Sequence, residues 1–206
     1  MATPLFLLAH ELGHATGFWL SGFAPCIGVN NCWAAPPYQE VHTLLGGLLG
    51  PLVNLFLGLA FLAAHFTFRS AKMWTFAFSM TNFIAHSVFP FALVFSLLLT
   101  GKAVGPFPEE AESALMLPAT QSTIAALQHQ LGGIDRFFLL RWQSLLVIWP
   151  LILLPALGVV LLWSKGRPSG PGRNVPLTLS IVVAALAGGQ ISYNLAKLGW
   201  HVCFGN

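Results

Sequence analysis

The chain carries very little charge. Only 7% of its 206 residues are Asp, Glu, Lys or Arg, whereas roughly a quarter of an ordinary soluble domain is charged. The nine basic residues are scattered near the ends of apolar segments and form no patch, so we expect no nucleic-acid partner. Hydrophobic residues make up 56% of the chain. A lipid bilayer is therefore the expected solvent for most of it.

Cysteine and aspartate are also scarce. The three cysteines include no Cys-x-x-Cys pair, which argues against a cysteine zinc site. Cys26 and Cys32 share one short loop, where they form either a disulfide, if the loop faces an oxidising compartment, or two separate thiols. Asp135 is the only aspartate. It is therefore the one Asp that can serve as a metal ligand.

Five apolar stretches are long enough to cross a membrane, since each crossing needs about twenty residues. We predict spans over residues 4–23, 44–66, 74–99, 137–163 and 175–198. The sequence thus predicts an all-α, polytopic membrane protein that forms a single domain over residues 1–206. Pro150 and Pro155 are expected to kink the fourth span. His65 and His129, near span ends, are expected at the membrane interface.

The connection at 101–135 differs from the spans, because it is long and contains Glu109, Glu110 and Glu112 as well as three prolines. Short interfacial helices are predicted at 113–117 and 124–131. A long connection in a compact protein is often a functional lid. A plain solvated loop is the other interpretation of this segment.

The first span contains polar and ionisable residues at 10–14, which read His-Glu-Leu-Gly-His. On a helix, positions i and i+4 share a face, so His10 and His14 can bind one metal ion, and Glu11 can reach a water molecule there as general base. Ionisable residues at membrane depth are functional-site candidates. Hydrogen bonding to a neighbouring helix is the alternative role for these side chains.

The second span contains a run of small residues. Gly46 and Gly50 are four positions apart, as are Gly13 and Gly17 on the first span. Small residues at this spacing let two helix backbones approach closely. We therefore expect the first two spans to pack through glycines and to bring Asn54 near the His pair. There its amide either satisfies a helix contact or holds a substrate strand or an oxyanion.

The His-Glu-Leu-Gly-His motif and the Gly-Pro-Leu-Val-Asn motif at 50–54 together resemble the site-2 protease family of intramembrane zinc metalloproteases, over roughly residues 5–100. The resemblance implies a three-helix core and a Zn²⁺ ion held by His10 and His14. It also implies that Glu11 is the catalytic base and that Asn54 helps to position the substrate. Proteins of this family cut transmembrane or membrane-adjacent segments of other membrane proteins, so the expected partners are such a substrate and the lipid bilayer.

The third metal ligand is where the chain departs from the family. The family uses an Asp in an Asn-x-x-Pro-x-x-x-x-Asp-Gly stretch, and no Asp-Gly follows Asn82. We favour Asp135, which begins the fourth span where the family's Asp would stand. Arg136 beside it offers a plain ion pair instead. His86, in the middle of the third span, is the alternative ligand.

The alternative function is a non-enzymatic multi-span membrane protein, such as a transport component or a structural relative, in which the His pair binds metal or packs helices. Glu11 discriminates between the two, because neither metal binding nor helix packing requires a carboxylate there. The sequence leaves the substrate and the oligomeric state open.

The sequence also leaves the membrane orientation open. The loop after the first span has no Lys or Arg, whereas Arg69 and Lys72 follow the second span and three basic residues follow the fourth. The positive-inside rule therefore places the first loop outside. The usual topology of the family would place it in the cytoplasm.

Overall fold

The structure is a computed structural model that describes residues 2–28, 31–34, 41–68, 72–102, 109–117, 121–123, 134–165 and 201–204. Its helices are α1 Ala2–Leu20, α2 Leu44–Thr67, α3 Lys72–Thr100, α4 Glu109–Met116, α5 Trp142–Leu146 and α6 Ile148–Lys165, with a 3-10 turn at Arg136–Leu140. Its strands are β1 Pro25–Gly28, β2 Cys32–Ala34, β3 Val41–Thr43, β4 Gln121–Thr123 and β5 His201–Cys203. The described part of the chain is mostly helical.

The first four predicted spans coincide with helical segments, and the short helix predicted at 113–117 corresponds to α4. The predictions at 124–131 and 175–198 lie outside the described residues. Within the described ranges, Leu44–Thr67 and Trp142–Lys165 are long and apolar enough to cross a membrane, judged by length and composition.

The fourth predicted span is not one regular helix. It starts with the 3-10 turn, and Val147 separates the end of α5 at Leu146 from the start of α6 at Ile148. Pro150 then falls in the first turn of α6, where its missing N–H removes no hydrogen bond from the helix. Pro155 lies inside α6 and is buried. The helix break lies at Val147, before both prolines, and the kinks predicted at Pro150 and Pro155 stay a prediction.

Two small antiparallel sheets correct the all-α prediction. One has the strand order β2-β1-β5, and the other pairs β3 with β4. The β-strands lie at the end of the bundle where α1 ends and α2 begins, which we call the sheet end. The chain is thus mainly helical, with short strands outside the helices.

The disulfide joins Cys26 to Cys203, so the Cys26–Cys32 pairing considered from the sequence is wrong. Cys26 and Cys203 are direct partners in the β1–β5 register. Cys32 instead stands opposite Ile27 in the β1–β2 register. Neighbouring strand residues point to opposite faces, so Cys32 lies on the other face of the sheet from Cys26.

Helices α2, α3 and α6 meet around one aromatic ring. Phe83 of α3 is only 1% exposed. A Cβ added to Gly58 of α2 or to Gly158 of α6 would overlap its ring. The two glycines therefore let both helices close on α3 at the same level.

His65 is buried within the protein, and its predicted location at the membrane interface stays a prediction. It lies near the end of α2, and its Nδ1 is 3.2 Å from the Thr75 hydroxyl near the start of α3. The side chain thus ties together the two helices of the α2–α3 hairpin, and this polar contact explains how an imidazole is accommodated there.

Candidate metal centre

Helix α1 lies directly against the backbone of α2. A Cβ on Gly13 would be 2.7 Å from the carbonyl oxygen of Leu49, and one on Gly17 would overlap the carbonyl group of Leu45. Such contacts are possible only where both helices present small residues. The glycine-mediated packing that the sequence predicts is confirmed.

His14 is fixed by α2 on two sides. Its Nδ1 donates a hydrogen bond to the carbonyl oxygen of Gly46, and its ring lies over Gly50, where a Cβ would overlap it. Gly46 is itself held by the cap of α2, because its N–H donates to the Thr43 hydroxyl at 2.9 Å. His14 is 4% exposed. A donor at Nδ1 leaves the lone pair of Nε2 available to a ligand.

His10 is held by the next turn of α2. The side-chain nitrogen of Asn54 lies 3.0 Å from Nδ1 of His10. Asn82 of α3 supports this contact, because its side-chain nitrogen donates to the backbone carbonyl oxygen of Asn54 at 2.7 Å. Three helices therefore meet at Asn54. The contact of Asn54 with α1, expected from the sequence, is confirmed, and its side-chain amide contacts His10.

The two imidazoles converge on each other. Their Nε2 atoms are 2.9 Å apart, and the rings are nearly perpendicular, at 83° with centroids 4.5 Å apart. Two nitrogens on one tetrahedral zinc ion, each at about 2.0–2.1 Å, are about 3.3 Å apart. A separation increase of a few tenths of an ångström would meet that requirement. The Nε2–Nε2 distance is therefore within a few tenths of an ångström of the one that two zinc ligands need.

Glu11 lies beside the pair on α1 and is 4% exposed. Burial of a carboxylate is costly, so buried acidic side chains usually have a specific structural or catalytic role. Its position next to His10 is the one that the motif assigns to the general base.

The structure does not bring Asp135 to the His pair, contrary to our preferred assignment of the third ligand. Asp135 caps the 3-10 turn by accepting from the Phe137 N–H at 2.9 Å, and it forms a β-bridge with Lys102 just beyond α3. From Asn82 to the end of α3 at Thr100 is about 27 Å at 1.5 Å per residue. The residues that the structure describes contain no group of three or more His, Cys, Asp and Glu that could hold a metal ion.

His86, the alternative ligand, belongs to α3, and the structure describes its backbone but not its side chain. Its helix position is four residues after Asn82, so the two positions share one face of α3. Since α3 runs antiparallel to α2, moving from Asn82 toward position 86 corresponds to moving from Asn54 toward Gly50. Position 86 therefore stands at about the level of His14.

Part of the 101–135 connection is docked at the sheet end. Strand β4 pairs with β3, and Glu112 of α4 lies 3.2 Å from Nδ1 of His42. Both contacts are next to Thr43, the residue that caps α2. This segment thus lies one turn of α2 from the Gly46 carbonyl that His14 uses, and its role as a lid stays a prediction.

Comparison of the chain with protein-family models, with curated proteins and with solved structures found no match. The geometry of the His pair is therefore what supports a function. Two hydrogen bonds that position the His pair were not predicted from the sequence. One is from His14 to the Gly46 carbonyl, and the other is from the Asn82 side chain to the backbone of Asn54. Asn82 is a polar residue inside an apolar span, which was a signal for its bond to Asn54. The Gly46 contact uses a backbone carbonyl, which no residue type signals.

Proposed function

We propose that this protein is an intramembrane zinc endopeptidase that hydrolyses peptide bonds in or near transmembrane segments of other membrane proteins. The observation that carries the proposal is the convergence of the His10 and His14 Nε2 atoms to 2.9 Å on a helix that also carries buried Glu11. Paired histidines with a carboxylate one position on are the ligands and the base of zinc peptidases. The motif resemblance to the site-2 protease family supports the same roles.

His10 and His14 would hold the ion, and a zinc ion bound there would supply Lewis-acid activation of water for attack on a peptide carbonyl. Glu11 would accept the proton that this water loses and deliver it to the leaving amine. The Gly46 carbonyl keeps the His14 ring in the orientation and tautomer that a ligand needs. Burial of the site in the helix bundle limits access by other water molecules.

The proposed membrane setting is supported by the surface of the helices. Only 22% of the apolar window of Leu44–Thr67 and 39% of that of Trp142–Lys165 is buried inside the protein, whereas a core helix of a soluble protein would be mostly buried. Large apolar side chains on α1 and α3 are also exposed, among them Trp19 at 67%, Trp74 at 63% and Leu98 at 66%. We infer that α1 and α3 also cross the bilayer, and the apolar stretch 175–198 is the fifth span that the sequence predicts.

Two observations support an orientation with the sheet end outside. In the sequence, the stretch 69–72 between α2 and α3 and the stretch 165–173 at and after the end of α6 include five Lys and Arg and no Asp or Glu, and such a bias marks the cytoplasmic side. The Cys26–Cys203 disulfide is at the sheet end, and disulfides persist in oxidising compartments. This orientation agrees with the charge rule and is opposite to the usual topology of the family.

Zinc content and proteolysis of the purified protein test the proposal together. His10→Ala and His14→Ala should each lose most of the bound zinc, because each removes a ligand. Glu11→Gln should retain zinc but cleave a transmembrane substrate about 10²–10⁴-fold more slowly, because the amide cannot accept a proton. Cleavage by Glu11→Gln at the wild-type rate would refute the role of the base.

A polar helix contact without metal is the second candidate. The Nε2–Nε2 hydrogen bond favours it, since it already joins the two rings. If wild-type protein reconstituted with zinc in detergent binds none, this second role replaces the peptidase.

A further inference from the structure

A cleft lies between the end of α3 and the start of the 3-10 turn. Its volume is about 360 Å³, which is within the range of small-ligand sites. Its lining is partly apolar, from Leu98, Leu99 and Phe137, and partly polar, from residues that include Asp135 and Arg136. The three apolar side chains are between 61% and 68% exposed. The cleft therefore suits a ligand that is polar at one end and apolar at the other.

The 3-10 turn has an apolar ridge between two arginines. With three residues per turn, Phe137 and Leu140 lie on one face of it, and both are exposed. Arg136 and Arg141, on either side of this ridge, are exposed as well. Their guanidinium carbons lie 5.6 Å and 5.8 Å from the ring centroids of Phe137 and Phe138, respectively. Such contacts use the charge of a guanidinium and not its N–H donors, so the donors remain for an anion.

Positive charge predominates beside the cleft. Lys102 stands opposite Asp135 in a β-bridge, and residues opposite each other in antiparallel pairing have their side chains on the same side. We call Lys102, Asp135, Arg136 and Arg141 the basic cluster. Its four side chains have three positive charges and one negative charge, a net charge of +2. The Asp135 carboxylate accepts a hydrogen bond from the Phe137 N–H.

The length of α3 gives the depth of the basic cluster in a membrane. Trp74 near the start of α3 and Leu99 near its end are both exposed, and they are about 38 Å apart along the helix at 1.5 Å per residue. A bilayer is roughly 30 Å thick in its hydrocarbon core and roughly 40–45 Å with its headgroups. Exposed Trp142 follows Arg141, and tryptophan is enriched at membrane–water interfaces. With α3 across the bilayer, as proposed above, the basic cluster lies among lipid headgroups.

We propose that the cleft and the basic cluster bind the phosphate of an anionic phospholipid. Arg136 lines the cleft, and arginine binds phosphate through paired N–H donors. The acyl chains of the lipid lie along the exposed side chains of Leu98 and Leu99. The net charge of +2 favours an anionic headgroup, because it repels the ammonium group of a zwitterionic one. The inference rests on the proposed membrane crossing of α3 and not on the zinc site.

Photocrosslinking in nanodiscs tests the site, because mass spectrometry identifies the crosslinked residues. Nanodiscs of phosphatidylcholine contain a small fraction of phosphatidylglycerol with a photoreactive acyl chain. We expect crosslinks at 98–100 and 137–142 in higher yield than with photoreactive phosphatidylcholine of the same chain length, and a difference that decreases as salt is raised. Equal yields from the two lipids at these residues would overturn the proposal.

Arginine variants test which side chains bind the headgroup. Arg136→Gln and Arg141→Gln should each lower the phosphatidylglycerol yield at this site about fivefold, because each basic residue near an anionic membrane surface adds about that factor in affinity. Arg136→Lys keeps the charge without the paired donors and should give an intermediate yield. Lys165→Gln is the matched control, since it removes an exposed cation at the end of α6 and should leave the yield at this site unchanged. Wild-type yields from both glutamine variants would refute the role of the basic cluster.

Two further outcomes would assign the cleft to another occupant and overturn the lipid site. One is loss of the crosslink when millimolar inorganic phosphate is added, and the other is a crosslink between two copies of the chain through these residues. Zinc content of the same samples separates this test from that of the peptidase. Arg136→Gln should retain zinc, and a wild-type protein without zinc would refute the peptidase while the lipid result stands.

Discussion

Gly50→Ala is the sharpest single test of the site, because it adds one methyl group directly against His14. The new Cβ would lie 2.6 Å from Cδ2 of the His14 ring, about 0.8 Å short of the 3.4 Å at which ordinary contact begins. Metal–ligand distances tolerate only about 0.2 Å. The ring must therefore leave its ligand position, and zinc affinity should fall at least about tenfold.

The stability of the fold should change much less than zinc affinity. Alanine is about 1 kcal/mol better than glycine inside a helix, which offsets part of the roughly 1–3 kcal/mol that overpacking costs. Gly158→Ala is the matched control, since its Cβ would lie 2.7 Å from Cζ of the Phe83 ring and its three nearest atoms all belong to that ring. Both variants should lose similar thermal stability, but only Gly50→Ala should lose zinc.

Chelator competition on monodisperse protein in detergent measures the affinity, and a thermal melt of the same sample measures stability. A folded Gly50→Ala that binds zinc with the wild-type Kd would show that His14 is not a ligand in this position. Equal loss of zinc by both glycine variants would show that general loosening of the bundle, and not the His14 contact, controls binding.

Three further outcomes are expected. His86→Ala should lose zinc whereas Asp135→Asn should keep it, because position 86 lies at the level of the His pair and Asp135 caps a distant turn; metal analysis of both proteins decides this, and the reverse result would restore Asp135. In intact cells, a membrane-impermeant maleimide should label the exposed Cys203 only after reduction of its disulfide, whereas labelling only after the membrane is opened would place the sheet end inside. Phe83→Ala should destabilise the protein by about 3–5 kcal/mol, since it empties the contact between three helices; a Tm within a degree of wild type would contradict this packing.

Several features could be read from sequence because they depend on local pattern. The helix bounds of the first three spans follow from the length of apolar runs. The contact between α1 and α2 follows from glycines four residues apart, and the convergence of His10 and His14 follows from the pitch of a helix. The strands were missed because each has only three or four residues. Their pairing joins distant parts of the chain, which no local periodicity reveals.

The assignment of Asp135 shows why long-range placement escaped the sequence. Asp135 is the only Asp and stands at the start of a predicted span, as the family pattern requires. In the structure, however, it lies beside the end of α3, a long way along that helix from the His pair. The disulfide partner of Cys26 was missed for a similar reason. Cys203 is 177 residues away in sequence, and only strand pairing brings it opposite.

The sequence by itself determined the apolar helices, the glycine contact and the pair of imidazoles on one face of α1, because these depend on composition and helical periodicity. Only the tertiary structure decided what fixes each imidazole. Every residue type has a backbone carbonyl, so the role of the Gly46 carbonyl has no signal in the sequence. The Asn54 amide contacts His10 only because α2 lies along α1, so that successive turns of the two helices face each other. The supports of the site are therefore contacts between helices, which no stretch of sequence contains.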